Sequence, residues 1–555
     1  MNNNRIIIFV AVLLLSLFSF RAMAQDNQGA LPGARLWGNF QMDSQYYVPD
    51  IAIGADTVRH KLGMNAFSNI NFSYRNFTAG IRFESYNKRL EGYPNYDGTA
   101  IPFRFVSYSQ DNLDITLGNY YEQFGNGLIF RSYVDHGLGL DNAMDGVRVV
   151  FRPSSGVTLK GLVGNQRNLM GKGPGIVRGV DAEVNLNDLI SPFLDNKNKL
   201  ILGGSLVSKF QDGQFDPLYN LPENVAALAG RLNFTRGAFN LNSEFAYKVN
   251  DPSSDNNFIY KPGHALMVSA SYSLPGVGLL VSAKRVDNMS FRSDRNATEN
   301  ALTVNYLPPA TKQHVYSLTA MYPYATQLNG EVGLMAEGTF RLPRQSFLGG
   351  PFGATITANY SIAKSIEKIP VGDNSSPHQA GTLGYTSSFF KVGDILHFQD
   401  LNIEYSRRFS RTLRGLVSYA YITYNPLVVE GYDNPMVHAH VVVADFTHRL
   451  PNRKSLRWEL QYLATKQDKG NWAMAAIEYS IAPSWSFSVI DQYNYGNPTK
   501  EERNHYYTAA VSYSKNANRI SVSYGRQREG IICVGGVCRR VPASNGLMVS
   551  VTSSF

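Results

Sequence analysis

The chain has 555 residues, a net charge of +9 and a mean hydropathy of −0.22, with 33 tyrosines and 31 phenylalanines. This length would ordinarily comprise three or four soluble domains, yet no linker, charge run or change of composition marks a boundary. The lysines and arginines are scattered, which argues against a nucleic-acid partner. No apolar run of helical-span length follows residue 24, which excludes membrane-spanning helices.

The first segment, residues 1–24, has the order of a secretory signal peptide. Arg5 precedes an apolar run, and Ala22-Met23-Ala24 is a small-x-small cleavage site. The alternative, a membrane anchor, needs roughly 20 apolar residues, and the run is shorter. We therefore predict a cleaved signal at 1–24, a short periplasmic segment at 25–33, and a single barrel domain at 34–555.

From residue 34 onward, short runs alternate strictly between apolar and polar residues. Phe77, Ala79 and Ile81 face one way and Arg82 and Glu84 the other, the period of a strand with two different faces. Short Gly/Pro/Asn/Asp turns alternate with long loops, as in outer-membrane barrels. The sequence predicts an all-β protein: a transmembrane antiparallel up-and-down β-barrel of about 24 strands (22 to 26), with short periplasmic turns and long extracellular loops.

The soluble alternatives are a β-sandwich and a β-propeller. Sandwich domains recur at about 100 residues and propeller blades at about 40 to 50, and neither period is present. Two segments leave the strand count open. Residues 287–329 could contain a further hairpin, and residues 187–199 are long for a periplasmic turn and could contain a short helix.

A barrel of this size is about 48 Å across, too wide for wall side chains to fill. No separate plug domain is evident, so we expect residues 124–146 and 287–329 to fold inward and leave a water-filled path beside them. The inferred lumen face carries charges of both signs. This set indicates a polar permeation path, or alternatively a wall whose charges pair across strands: Arg82, Glu84, Arg104, Asp114, Arg148, Glu331, Glu337, Arg341, Glu404, Arg408, Arg457 and Glu459.

The two cysteines, Cys533 and Cys538, flank a Gly535-Gly536 turn. Cysteines on either side of a hairpin turn lie within bridging distance, and export favours a disulfide. A metal pair is the alternative, but two thiolates without a nearby histidine make a poor zinc site. The last ten residues alternate apolar and polar and end on Phe555, a pattern that resembles the carboxy-terminal assembly signal of outer-membrane barrels.

Motifs for catalysis are missing from the sequence. It contains no phosphate-binding loop, dinucleotide fingerprint or HExxH motif, and no Gly-x-Ser-x-Gly nucleophile elbow at a strand–helix junction. His438 and His440 share one face of a predicted strand and could ligate a metal, but polar wall residues are the favoured interpretation. We expect no enzyme activity, no cofactor and no metal.

The stretch from Leu117 to Leu128, the Leu138–Asn142 segment and the Pro323–Gly330 segment resemble an uncharacterised barrel family of Bacteroidota. The resemblance covers most of the chain. It implies a porin-like barrel fold and an outer-membrane location, and it implies no activity and no catalytic residue.

These observations favour a porin-like passive channel for small polar solutes in the outer membrane of a Gram-negative cell. The alternative is a structural or assembly subunit that docks other envelope proteins through its long loops. A barrel-wall hydrolase, which needs Ser, His and an acid to converge, is a third possibility. The expected partners are outer-membrane lipid, the barrel-assembly machinery and possible envelope proteins.

Overall fold

The computed structural model describes residues 32–190, 197–213 and 216–555, and the predicted signal peptide lies outside these ranges. A single antiparallel sheet of 24 strands closes on itself, as predicted. Its strands are β1 (Arg35–Tyr47), β2 (Leu62–Tyr74), β3 (Phe77–Asn87), β4 (Gly98–Gln110), β5 (Leu113–Tyr120), β6 (Met144–Ser154), β7 (Val157–Asn168), β8 (Gly171–Asn185), β9 (Asn198–Phe210), β10 (Asn224–Arg236), β11 (Phe239–Lys248), β12 (Gly263–Leu274), β13 (Val277–Asp287), β14 (Glu331–Leu342), β15 (Ala354–Ile366), β16 (Val392–Arg408), β17 (Leu413–Tyr424), β18 (Val437–Leu450), β19 (Lys454–Ala464), β20 (Trp472–Ile481), β21 (Trp485–Tyr493), β22 (His505–Lys515), β23 (Asn518–Gln527) and β24 (Ser544–Ser554).

The barrel closes where the last strand pairs with the first. Met42 lies opposite Val551 in this register, and the backbones of Gly38 and Phe555 exchange two hydrogen bonds of 3.0 Å. The terminal residue is therefore part of the closing ladder. Closure removes the unpaired edges that an open sheet of this length would present.

The alternation predicted from sequence sets which side chains face outward. On β19, Leu460 is 52% exposed, while Glu459 and Gln461 on the other face are buried. The outer surface is an apolar belt with large aromatic residues near both ends. At the long-loop end these include Tyr46, Tyr247, Tyr462 and Tyr507, and at the short-turn end Phe77, Phe340, Trp458 and Trp485.

The connections differ between the two ends of the barrel. Tight turns such as Arg75-Asn76 and Asp111-Asn112 join strands at one end, and long loops join them at the other. The predicted helix at the 187–199 connection is confirmed as Leu186–Leu189, and a second α-helix spans Pro426–Glu430. No helix in the described ranges is long and apolar enough to cross a membrane.

Further short elements lie within the long loops. Three two-stranded ribbons pair Val134–Asp135 with Leu140–Asp141, Ile369–Pro370 with Tyr385–Thr386, and Gly530–Val534 with Val537–Val541. Single 3-10 turns occupy Ile51–Ile53, Ser254–Asn256, Thr319–Met321 and Lys500–Glu502. Residues 288–330 contain one isolated antiparallel bridge, Arg292 to Thr303, so this segment adds no hairpin to the barrel wall.

Candidate functional site in the barrel lumen

The β5–β6 loop, residues 121–143, folds into the lumen and is held there by buried charges. Arg82 donates to Asp141 at 2.7 Å, and Arg167 donates to Asp141 and to Glu84, each at 2.6 Å. All four side chains are almost completely buried. Each guanidinium has charged acceptors and each carboxylate has charged donors, which is the condition under which buried ions are tolerated.

Apolar residues of the same loop fill the lumen beside this network. Phe124, Ile129 and Phe130 are fully buried and form one cluster with small inward-facing residues of consecutive strands: Val177, Val207, Val225, Ala227, Ala246, Ala265 and Val286. Small wall residues leave space for the aromatic rings of the loop. The predicted inward fold of this loop is confirmed, and in this part of the barrel its packing resembles a protein core.

The β13–β14 loop, residues 288–330, crosses to the other side of the lumen. Its backbone first pairs with the β5–β6 loop, where Arg131 N donates to Val304 O at 2.8 Å. It then reaches strands on the far wall: Lys312 contacts Glu404 at 2.8 Å and Tyr316 donates to Asp445 at 3.0 Å. The inward fold predicted for this loop is therefore also confirmed.

The predicted disulfide links Cys533 to Cys538 across the ribbon at the long-loop end of the barrel. The ribbon tip turns back onto the β13–β14 loop. Asn300 donates to the Cys538 carbonyl at 2.6 Å, Gln313 donates to the Cys533 carbonyl at 3.2 Å, and Tyr306 donates to the Gly535 carbonyl. The crosslinked ribbon thus covers the inward loop from above.

Two cavities lie on opposite sides of one segment of the inward loop. A cavity of about 940 Å³ at the long-loop end is lined by Met321, Tyr322 and Trp472 among others. A cavity of about 420 Å³ at the short-turn end is lined by Tyr316 and Arg341 among others. Residues 316–322 therefore lie between an outer and an inner cavity.

Eleven of the twelve charged residues predicted to face the lumen lie on the inward face. Several of them are paired. Arg148 and Glu404 contact Glu122 and Lys312 of the inward loops, whereas Arg457 contacts Asp445 across strands, as the wall-pairing interpretation expects, and Glu459 on its own strand. Glu331 is fully buried and contacts Lys284 at 2.7 Å. Asp114 pairs with Arg152, and Glu337, Arg341 and Arg408 share the inward face at the short-turn half.

Arg104 is the exception, and its predicted lumen placement is wrong. The inward position on β4 belongs to Phe103, which stacks on Tyr121 at 5.3 Å inside the barrel. Arg104 pairs in register with outward-facing Ile81 and approaches Asp145 at 3.6 Å with its side chain 56% exposed. Its charge suggested the polar face, but an aromatic ring packed against the inward loop occupies that face.

Sequence reasoning also missed the residues that anchor the loops. Glu122, Asp141 and Tyr316 lie in loops without strand periodicity, and Arg167 lies near a strand end. Each of them meets a partner far away in the sequence. The sequence indicated only that wall side chains cannot fill a barrel of this width, so that other segments of the chain must enter the lumen.

The charge state of the loop residues follows from these contacts. Burial raises the pKa of Glu122, but the hydrogen bond and charge of Lys160 together with the charge of Arg148 outweigh it, so the net shift is downward. Burial and the Asp468 carboxylate, which accepts a 3.1 Å hydrogen bond, raise the pKa of Tyr322. Glu122 is thus held as an anion and Tyr322 as a neutral donor.

The candidate histidine pair does not face the lumen. His438 and His440 lie on the outer face, where Tyr421 and Tyr419 hydrogen-bond their Nδ1 atoms at 3.1 and 2.8 Å. Within the described part of the chain, no group of three or more His, Cys, Asp or Glu side chains is arranged to hold a metal ion.

The fold and the lumen define a large closed β-barrel whose interior is partly filled by two of its own loops. The chain belongs to the Family of unknown function (DUF6029), whose model matches residues 3–555. No curated protein sequence matches it.

Among solved structures, the translocation pore of the P pilus usher PapC is 10% identical, with a TM-score of 0.42, covering 94% of this chain and 99% of that one. The ferric citrate transporter FecA in its unliganded form is 9% identical, with a TM-score of 0.39 and coverage of 95% and 79%. The siderophore receptor PirA from Pseudomonas aeruginosa is 11% identical, with a TM-score of 0.39 and coverage of 95% and 81%.

Proposed function

We propose that this protein is an outer-membrane β-barrel of a Gram-negative cell. The support is the closed sheet with an apolar outer belt and aromatic residues near both ends, the arrangement that hydrocarbon and its two interfaces select. The signal-peptide pattern of residues 1–24 and the terminal Phe555 support export and recognition by the barrel-assembly machinery.

Within that membrane the protein works as a porin-like passive channel for small polar solutes. The observation that carries this proposal is the pair of cavities on either side of residues 316–322. The solute path runs along the lumen side of strands β14 to β20, and residues 316–322 narrow it. The polar side chains of both signs along this path suit hydrated solutes.

Planar-bilayer recording on the purified full chain tests this function. We expect unitary conductance in KCl, and we expect a larger conductance when Tyr316→Ala and Leu318→Ala are combined. Tyr316 anchors the segment on Asp445, and Leu318 is fully buried against the far wall. Tyr247→Ala, on the outward face near the long-loop end, is the matched control and should leave conductance near the parent value.

The second candidate is the structural or assembly subunit. It is favoured by the dense packing of the β5–β6 loop, which fills one side of the lumen as a core would. Absence of conductance in both the parent and the Tyr316/Leu318 variant, together with a stoichiometric envelope protein retained in mild detergent, would replace the channel by this function.

A further inference from the structure

Most lumen-facing cations have a carboxylate partner. Arg148 and Lys160 both contact Glu122, at 2.7 and 2.9 Å, and Arg231 contacts Asp181 at 2.6 Å. Even on the far wall, Arg457 is shared between acidic side chains. Paired charges of this kind leave little net field for a solute.

Three arginines at the short-turn end depart from this rule. Arg341, Arg408 and Arg414 line the same inner cavity of about 420 Å³. Across residues 32–190, 197–213 and 216–555, none of them has a carboxylate within ion-pair distance. Asp445 lines the same cavity, but its carboxylate is already engaged by Arg457 and Tyr316.

The register places two of these positive charges directly opposite each other. Arg408 and Arg414 are direct cross-strand partners on β16 and β17, and both line the cavity. Arg408 lies over the Phe352 ring at 5.4 Å and donates to the Arg411 carbonyl at 3.4 Å, which leaves its remaining N–H donors for an anion. Side chains directly opposite one another on one face are close enough that like charges repel. Two guanidinium groups in this position are stabilised when an anion lies between them.

The surrounding groups match an oxyanion. Thr355, Ser406 and Thr447 line the cavity beside the arginines and offer hydroxyl donors. Guanidinium groups present a fork of N–H donors that fits phosphate and carboxylate oxygens in a bidentate manner. Arg341, Arg408 and Arg414 are solvent-exposed, so a solute in the inner cavity reaches them without rearrangement of the wall.

We propose that these three arginines form an oxyanion-binding site at the short-turn mouth of the barrel, which takes small solutes bearing phosphate or carboxylate groups. The binding site itself stands on the register and the charges. Its consequence, a preference for anionic solutes, rests on the proposed channel function and deepens it.

Calorimetric titration of the full chain in detergent with inorganic phosphate, at constant ionic strength in chloride, tests the site. We expect saturable binding in the parent protein and an affinity at least about tenfold weaker in Arg414→Gln, since charge-assisted bidentate contacts are lost. Arg152→Gln is the control: it removes one inward cation at the same end of the barrel, but one that already pairs with Asp114. Its phosphate affinity should stay within about twofold of the parent value.

A second titration with succinate distinguishes the two sources of the ligand chemistry, because tighter binding of phosphate or of succinate identifies which oxyanion the site prefers. Absence of phosphate and succinate binding in the parent, or equal weakening by Arg152→Gln and Arg414→Gln, would overturn the proposal. This result is independent of conductance: a barrel that binds phosphate but never conducts retains the site and loses the channel.

Discussion

The two sides of the lumen are filled in different ways. From β5 to β13 the wall packs against Phe124, Ile129 and Phe130, and the β5–β6 loop is fixed by buried ion pairs. From β14 to β20 the β13–β14 loop packs Leu318, Tyr322 and Tyr324 against the wall, and two cavities remain above and below this segment. The side from β5 to β13 is filled like a protein core. The side from β14 to β20 is divided by the β13–β14 loop into an outer and an inner cavity.

The difference shows what a wide barrel requires. Closure of the sheet satisfies the backbone hydrogen bonds but leaves the inner wall without packing partners. Small inward residues such as Val177, Val207 and Ala246 create space for loop aromatic residues on one side. At the short-turn end of the other side, charged inward residues such as Arg341 and Arg408 line the inner cavity.

The largest expected effect lies in the buried network of the packed side. Arg167→Gln leaves Glu84 and Asp141 buried with only Arg82 to compensate them. Removing one partner of a buried ion pair costs about 3–5 kcal/mol, so we expect a lower free energy of unfolding, measured by urea titration in detergent. The β5–β6 loop should also become more accessible to proteases.

The exposed pair Arg152 with Asp114 provides the contrast within the same half of the wall. Arg152→Gln removes an ion pair of 2.7 Å between partly exposed side chains, and such pairs contribute about 0–1 kcal/mol. Equal destabilisation by Arg152→Gln and Arg167→Gln would mean that burial does not distinguish the two pairs, and the comparison of a core side with an open side would fail.

Much of the fold could be predicted because its rules are local. Strand alternation, turn residues and loop lengths each occupy a few consecutive residues, and together they gave an antiparallel barrel with the observed 24 strands. Trp458, Leu460 and Glu459 face the sides that their chemistry predicts. The alternation of apolar and polar residues is visible in the sequence whenever one face of a strand contacts an apolar environment.

The lumen was less predictable because its contacts are not local. Arg167 and Glu84 are 83 residues apart, and Tyr316 and Asp445 are 129 residues apart. Arg104 was misplaced since charge alone cannot report that Phe103 packs against Tyr121. Inward loops could be expected from barrel width, but their partners could not.

A smaller effect is expected from loss of the disulfide, whose ribbon covers the β13–β14 loop. Combining Cys533→Ser with Cys538→Ser removes a crosslink that closes a loop of sequence separation 5. A ring of this size contributes about 2 kcal/mol, and we expect this contribution to fall on the ribbon alone, because the ribbon can open without unfolding of the barrel wall. The ribbon that covers the β13–β14 loop should loosen while the barrel itself stays folded. We expect faster tryptic cleavage at Arg539 and Arg540 with an unchanged urea midpoint.

Reduction of the parent protein is the control for that prediction, and it should reproduce the cleavage rate of the double variant. A lowered urea midpoint in either case would show that the ribbon supports the wall and not only the loop beneath it.

The last expected effect concerns lysines of the loops and wall, which also differ between the two sides. On the packed side Lys209 contacts Asp251 at 2.7 Å, whereas Lys368, in the β15–β16 loop, contacts the neutral His378 ring at 2.9 Å. Burial lowers the pKa of Lys368 to about 8, with Lys261 adding to the shift and Asp287 opposing it.

The unfolded loop would keep the ordinary lysine pKa of about 10.4. Between about pH 8 and pH 10.4 the unfolded loop therefore binds more protons than the folded one, and the stability of the folded loop rises with pH in that window. Hydrogen exchange of residues 367–391 should slow relative to a reference peptide as the pH is raised from 8 to 10. Lys368→Met should abolish this pH dependence, because the residue that titrates is gone. If the variant keeps the same pH dependence, another group causes it, and Lys368 does not weaken the folded loop.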